Sequence, residues 1–350
     1  MKVPSFTDLL GPLPGIIAGL KSYRLFKAID SPNNAKALKF LKKKRNIFNL
    51  KQANTGLNPL HLVTMKNDTQ LIEAITVRQD CKAHINDQDN DQQWAAIHFA
   101  AQNGNSEALT YFLKLGANIS IKNKEGSGPI HIAAGHNHKD FIQKLIERSV
   151  HIDERDAKMR TALHYSAVQN FADLAEWLVS KGASTSVVDS VGMTPIYVAV
   201  HAGSFNVTEF LHNYKDGYTK IPGSKCKLIH LACRHQDTKI LEFLHANGHD
   251  LWDFDNEVDR ESVYHYAALD GAVNCIDYLV SKNIAIDRQD SRGLTPLHIA
   301  VGVKNLAVIK KLCEAGAKLD IPNIEGLSPF DMAESVRDHA TLTLLRRFKR

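Results

Sequence analysis

One short frame of residues returns along this chain at a nearly constant interval, and that interval restricts the fold more than any other feature. It reads Gly56-Leu57-Asn58-Pro59-Leu60-His61-Leu62, Gly126-Ser127-Gly128-Pro129-Ile130-His131-Ile132 and Gly293-Leu294-Thr295-Pro296-Leu297-His298-Ile299. Partial copies are Arg160-Thr161-Ala162-Leu163-His164 and Gly192-Met193-Thr194-Pro195-Ile196-Tyr197, and weaker ones centre on His98, His230, His265 and Asp331. The anchors at 61, 98, 131, 164, 197, 230, 265, 298 and 331 are separated by 37, 33, 33, 33, 33, 35, 33 and 33 residues. A register of this size, held over nine copies, predicts stacked supersecondary units rather than one globular core.

Each part of the frame has a physical reason. Thr194-Pro195, Thr295-Pro296 and Ser328-Pro329 put a capping hydroxyl ahead of a residue with no N–H to leave unpaired. Two residues after the anchor stands a small side chain (Ala100, Ala133, Ser166, Ala199, Ala232, Ala267, Ala300), which lets neighbouring helices approach. A second helix follows with an apolar stripe, as in Leu174-Ala175-Trp177-Leu178-Val179. Glycine then supplies a left-handed cap, and Asp189-Ser190-Val191-Gly192 reads as a turn at a hairpin tip.

These residues resemble the ankyrin repeat, whose closing Gly-Ala element is matched by Gly116-Ala117, Gly182-Ala183 and Gly316-Ala317. The resemblance implies an all-α repeat solenoid of about eight to nine stacked repeats, each a helix-turn-helix with a β-hairpin-like loop, closed by degenerate caps. Residues 1–20 read as an N-terminal extension and 21–54 as a degenerate capping helix pair, built on Tyr23–Asp30 and Asn33–Lys43. Residues 55–350 read as the array, ending on a cap whose anchor has become Asp331. The family also implies that His61, His98, His131, His164, His230, His265 and His298 order the hairpins through backbone hydrogen bonds.

Composition narrows the function classes. Five cysteines (81, 226, 233, 275, 313) are odd in number and scattered, which argues for a reducing compartment and no disulfide framework. The extension, apolar but broken by Pro4, Pro12 and Pro14, lacks the uninterrupted core of a secretory signal; it packs on the first repeats, binds a partner or hangs loose. Cys226, His230, Cys233 and His235 have ligand chemistry, but His230 is an anchor and Cys233 a core position, so no metal is assigned. No phosphate-binding loop, nucleophile elbow or zinc-protease helix occurs, so neither enzyme nor cofactor is read here. The insertions fall in Thr76–Asn86 and Phe254–Glu261, and Asn213–Tyr218 with Ile221-Pro222-Gly223 replaces the usual Gly-Ala turn.

The resemblance implies a surface for another protein. Hairpin tips and the exposed side of the first helix carry partner contacts in the family. By phase they include Trp94, Gln102, Asn103, His136, Arg160, Gln169, Met193, His201, Arg234, His235, Asp270 and Arg292, with Leu269 and Val303 beside them. The stripe His136, Gln169, His201, Arg234, His235 suits an acidic or hydrogen-bonding peptide. The leading reading is a non-catalytic, monomeric adaptor in the cytoplasm. Three alternatives stay open: a segment of a larger signalling protein, enzyme or channel, a bacterial effector delivered into a host cell, and nucleic-acid or anionic-membrane binding through the basic ends. The cluster Lys42, Lys43, Lys44 and Arg45 leaves a nuclear destination open.

Overall fold

In the computed structural model, which describes residues 18–42, 47–52, 54–218, 227–256 and 258–349, helices begin where the sequence places a cap and a proline. The Asn58 and Ser328 side chains accept the backbone N–H three residues on, at 3.1 and 3.2 Å, and the Thr295 hydroxyl does so at 3.4 Å. Thr194 differs. It makes no cap bond, and its hydroxyl donates instead to the Gly217 carbonyl at 2.8 Å.

The described residues fall into two compact units, within Met1–Ser166 with Asp173–Ser184, and within Ala167–Ala172 with Thr185–Arg350. Repeats are numbered one to nine by their anchors. Ahead of them lie α1 (Ala18–Asp30) and α2 (Ala35–Leu41). Repeats one to four contribute α3 (Pro59–Met65) and α4 (Thr69–Thr76), α5 (Ala96–Asn103) and α6 (Ser106–Lys114), α7 (Pro129–Gly135) and α8 (Lys139–Ile146), α9 (Ala162–Val168) and α10 (Ala172–Ser180). Repeats five to seven contribute α11 (Pro195–Ala202) and α12 (Phe205–Leu211), α13 (Leu228–Ala232) and α14 (Lys239–Ala246), α15 (Val263–Asp270) and α16 (Val273–Ser281). Repeats eight and nine contribute α17 (Pro296–Gly302) and α18 (Leu306–Glu314), α19 (Pro329–Ser335) and α20 (His339–Arg346). This is an all-α repeat solenoid. Among the described residues the hairpin-like loops form turns without a strand, apart from one isolated bridge between Gln88 and Ala95. No described helix is long and apolar enough to cross a membrane.

Helices of this length are marginal alone, so packing must stabilise them. In the first unit α1, α3, α5 and α7 stack in series, as do α2, α4, α6 and α8. In the second, α11, α13, α15, α17 and α19 form one row. The small residues make that approach possible: Ala100, Ala133, Ser166, Ala199, Ala232, Ala267 and Ala300 are fully buried. Single backbone bonds tie adjacent tips, Lys124 N–H to Gln92 O and Ala157 N–H to Glu125 O in the first unit, and Ser291 N–H to Asp259 O in the second.

The irregular places pack as well. The insertion before repeat two forms a 3-10 turn over Cys81–His84; Cys81 is buried, and His84 stacks on Phe48 at 4.9 Å. A second 3-10 turn, Lys215–Tyr218, stands where the Gly-Ala turn is missing. Residues 221–223, Cys226, Lys43, Lys44 and Arg45 lie outside the described residues, as does the extension up to 17; α1 begins inside the range read as extension.

Two glycines separate backbone strain from steric fit. Gly116 has φ +83° and open space around a would-be Cβ. Gly126 has φ +71°, and its Cβ would meet the Ala157 nitrogen at 2.6 Å. Gly116→Ala should cost about 1 kcal/mol, and Gly126→Ala about 1–3 kcal/mol more, read as denaturation midpoints. Equal losses would mean that the tips do not meet as described.

Candidate functional site: hairpin tips and first-helix ends

The anchor imidazoles are buried, and five of them bond at both ring nitrogens. His61, His98, His131, His265 and His298 accept at Nδ1 the backbone N–H of the residue three before, over 2.9–3.2 Å. Their Nε2 atoms donate to carbonyls of the following loop, those of Asp87, Ile121, Glu154, Leu294 and Leu327, at 2.8–3.0 Å. His164 accepts the Thr161 N–H at 3.1 Å. His230 reaches Asp253 O at 3.2 Å, while its buried Nδ1 has no partner among the described residues. Burial pushes His61, His98 and His230 down to about 4, and lowers His131, His265 and His298. These rings are neutral fasteners at neutral pH.

The hairpin tips rest on a residue that the seven-residue frame overlooks. An Asp or Asn eight to ten positions before the anchor turns its side-chain oxygen into the loop. Asn123 accepts the N–H groups of Glu125 and Ser127, Asp156 those of Lys158 and Arg160, and Asp290 those of Arg292 and Leu294. The tip arginines fold onto these carboxylates. Arg160 donates through Nε and Nη2 to Asp156 Oδ2 at 3.0 and 2.8 Å, and Tyr165 adds its hydroxyl to the same oxygen at 2.8 Å. Arg292 grips buried Asp290 at the same two distances. Trp94 is half-buried on His98 and Phe99, with ring centroids at 5.8 and 5.0 Å, and Met193 is half-buried too.

On the helix side, several candidates serve the stack. In the first unit Asn103 donates to Thr64 O at 2.8 Å, Gln102 is half-buried, and exposed His136 lies against Ile132 O and stacks on His138. In the second unit His235 Nε2 lies 3.0 Å from Val200 O. Arg234 is ion-paired with Asp270 through two contacts of 2.6 and 3.1 Å. Exposed His201 is held below its ordinary value by partial burial and then by the Arg234 charge. Gln169 is exposed. The second unit therefore does not present a bare cationic row there. Leu269, Val303 and Val336 stand exposed at the ends of α15, α17 and α19. Val336 belongs to the same phase, although it was not among the positions named from the sequence.

Cys233 donates its thiol to Ile229 O at 3.3 Å, and the four described cysteines are buried. Among the described residues no group of three His, Cys, Asp or Glu is placed to hold a metal ion.

A family described as ankyrin repeats (3 copies) matches residues 25–123, 97–189, 130–221, 169–255 and 229–323. A putative palmitoyltransferase ZDHHC13 of Danio rerio is 28% identical over 171 residues, covering 46% of this chain and 25% of its own length. Palmitoyltransferase AKR1 of Lachancea kluyveri is 29% identical over 101 residues, covering 28% and 14%. The nuclear factor NF-kappa-B p105 subunit of Gallus gallus is 26% identical over 144 residues, covering 40% and 14%. The chain thus spans a quarter or less of these relatives. The crystal structure of the human ASB11 ankyrin repeat domain superposes with a TM-score of 0.55 and 23% identity, over 64% of this chain and 99% of that one, a likeness of fold.

The anchors predict acid lability. The native values of His61, His98 and His230, about 4, lie below the ordinary 6.5 of an unfolded chain. Above pH 6.5 both states are neutral and nothing is lost. Between pH 6.5 and 4 the unfolded chain takes up protons that the native state does not, so stability falls, by about 3 kcal/mol per imidazole at the lower end. Thermal melting followed by circular dichroism should show Tm dropping steeply below pH 6. A Tm flat from pH 7 to 4.5 would contradict it.

Proposed function

The chain belongs to the ankyrin repeat family, and we propose that it is a non-catalytic adaptor holding a protein partner along the exposed first-helix ends of its C-terminal unit. Ankyrin repeats in general support a protein-interaction role. The observation that carries the finer reading is apolar: Leu269, Val303 and Val336, at the ends of three first helices, are 52%, 44% and 58% exposed. Leu269 stands four residues after its anchor, and Val303 and Val336 five after theirs, at the ends of α15, α17 and α19, which pack side by side. Single exposed apolar residues are ordinary, but exposed apolar ends on three neighbouring helices are a feature of interaction surfaces. Beside it, Asp270 and Arg234 neutralise each other, so the row favours an apolar contact with a polar rim.

A second reading is carried by the short span of the match to the palmitoyltransferases. These repeats would then be one segment of a longer protein, receiving a protein for an activity housed elsewhere. An antibody to the repeats that detected a polypeptide much longer than 350 residues in cells would support it.

The adaptor reading predicts that Leu269→Asp with Val303→Asp weakens partner binding by roughly tenfold or more, with little change in Tm because both side chains face solvent. Affinity capture with mass spectrometry identifies the partner, and titration of wild type and variant gives the ratio. Equal affinity would move the site off these helix ends.

A further inference from the structure

The tip of repeat seven breaks a rule that repeats four and eight keep. There, the tip arginine closes on the buried aspartate of its own turn. In repeat seven that aspartate, Asp255, is engaged otherwise. Its Oδ1 accepts the N–H groups of Asn256 and Glu261, and its Oδ2 accepts the Tyr266 hydroxyl at 3.0 Å. Arg260 lies instead over the Phe254 ring, 4.8 Å from its centroid. Arg288 lies over the same ring at 3.8 Å and donates to the Trp252 carbonyl.

The neighbouring carboxylates have other partners. Asp253 pairs with Lys227, Glu261 with Arg292, and Asp250 accepts the Trp252 N–H. Among the described residues, no carboxylate lies within ion-pair distance of Arg260 or Arg288. Two like charges held against one ring repel, and a carboxylate that contacts both removes that cost. Partial burial and then the Arg260 charge hold the Arg288 guanidinium below its ordinary value. Trp252, 49% exposed, stands beside them.

The backbone adds a second observation. Arg260 has φ +56°, where repeats eight and nine have Gly293 at +71° and Gly326 at +79°. A left-handed backbone strains a bulky side chain, and glycine would relieve it. Gln93 and Met159 share the geometry, so strain alone singles out nothing; its combination with the paired guanidiniums does.

We propose that Trp252, Phe254, Arg260 and Arg288 form a receptor for an acidic side chain on a peptide segment of the protein partner. The carboxylate contacts both guanidiniums, and an apolar neighbour on the peptide lies on Trp252. Arg and Trp are the residue types that dominate binding energy at interfaces. The Asp250 and Asp253 charges act on Arg288, and a polyanionic backbone would meet them along its length, whereas one acidic side chain needs to contact only the two guanidiniums. The inference rests on the interaction-module reading and names the chemistry of one contact within it.

The test is selection of phage-displayed random peptides against the full chain, followed by titration of the enriched peptides against wild type, Arg260→Gly, Arg288→Ala and the double variant Leu269→Asp/Val303→Asp. Enriched peptides carrying Asp or Glu next to an apolar residue are expected. Their affinity should drop roughly tenfold in Arg260→Gly and in Arg288→Ala. Arg260→Gly should melt no lower than wild type, an outcome that a merely structural arginine would not give. Enriched peptides without acidic residues, or with equal affinity for both arginine variants, overturn the receptor; if they are lost only in the Leu269/Val303 variant, the interaction-module reading survives. Tighter binding of a single-stranded oligonucleotide than of any peptide also overturns it, and a selection that enriches nothing overturns both.

Discussion

The repeat depends on one buried neutral imidazole used from both sides. Its Nδ1 accepts the N–H at the start of its own helix, and its Nε2–H donates to a carbonyl of the following loop. One side chain thereby fixes where a helix begins and where the next segment of chain must run. The bonds require Nδ1 bare and Nε2 protonated, and burial, which lowers the pKa, favours that state. A charged ring could not accept at Nδ1, so proton, burial and geometry agree or fail together.

Once the loops are fixed in this way, most polar groups at the tips turn inward. Asp156 and Asp290 close their own turns and then neutralise Arg160 and Arg292. Asn103 and His235 serve the stack between neighbouring repeats. Exposed polar groups in the right phase are therefore not automatically available to a partner. Among what the scaffold leaves outside are the apolar ends of α15, α17 and α19 and a tip where two guanidiniums share a ring.

The fold was legible because its signal is periodic. Small residues after the anchor, helix caps ahead of proline and the histidines themselves are set by local geometry, and each recurs in several of the nine repeats. The surface was legible only as a set of positions. Phase places Arg234 on the helix side but cannot show that Asp270 lies 36 residues on and at 2.6 Å. Phase likewise places Arg160 at a tip, while its closure on Asp156 depends on where the turn carboxylate points. Tyr197 shows the same gap from the other side. Without an imidazole at the anchor, the Thr194 hydroxyl donates to a loop carbonyl, a substitution no motif announces. Trp252 and Arg288 lie outside the seven-residue frame altogether, and only the position of Arg288, over Phe254 and donating to the Trp252 carbonyl, draws attention to them.

The most direct test of the imidazole account is the tautomer and charge of the anchors themselves, read by long-range proton–nitrogen correlation spectroscopy on chain carrying labelled histidine. His61, His98, His131, His265 and His298 should each appear as the neutral tautomer protonated at Nε2, and should stay so as pH is lowered through 6. Anchor rings protonated at Nδ1, or titrating near 6.5 while the protein remains folded, would contradict it.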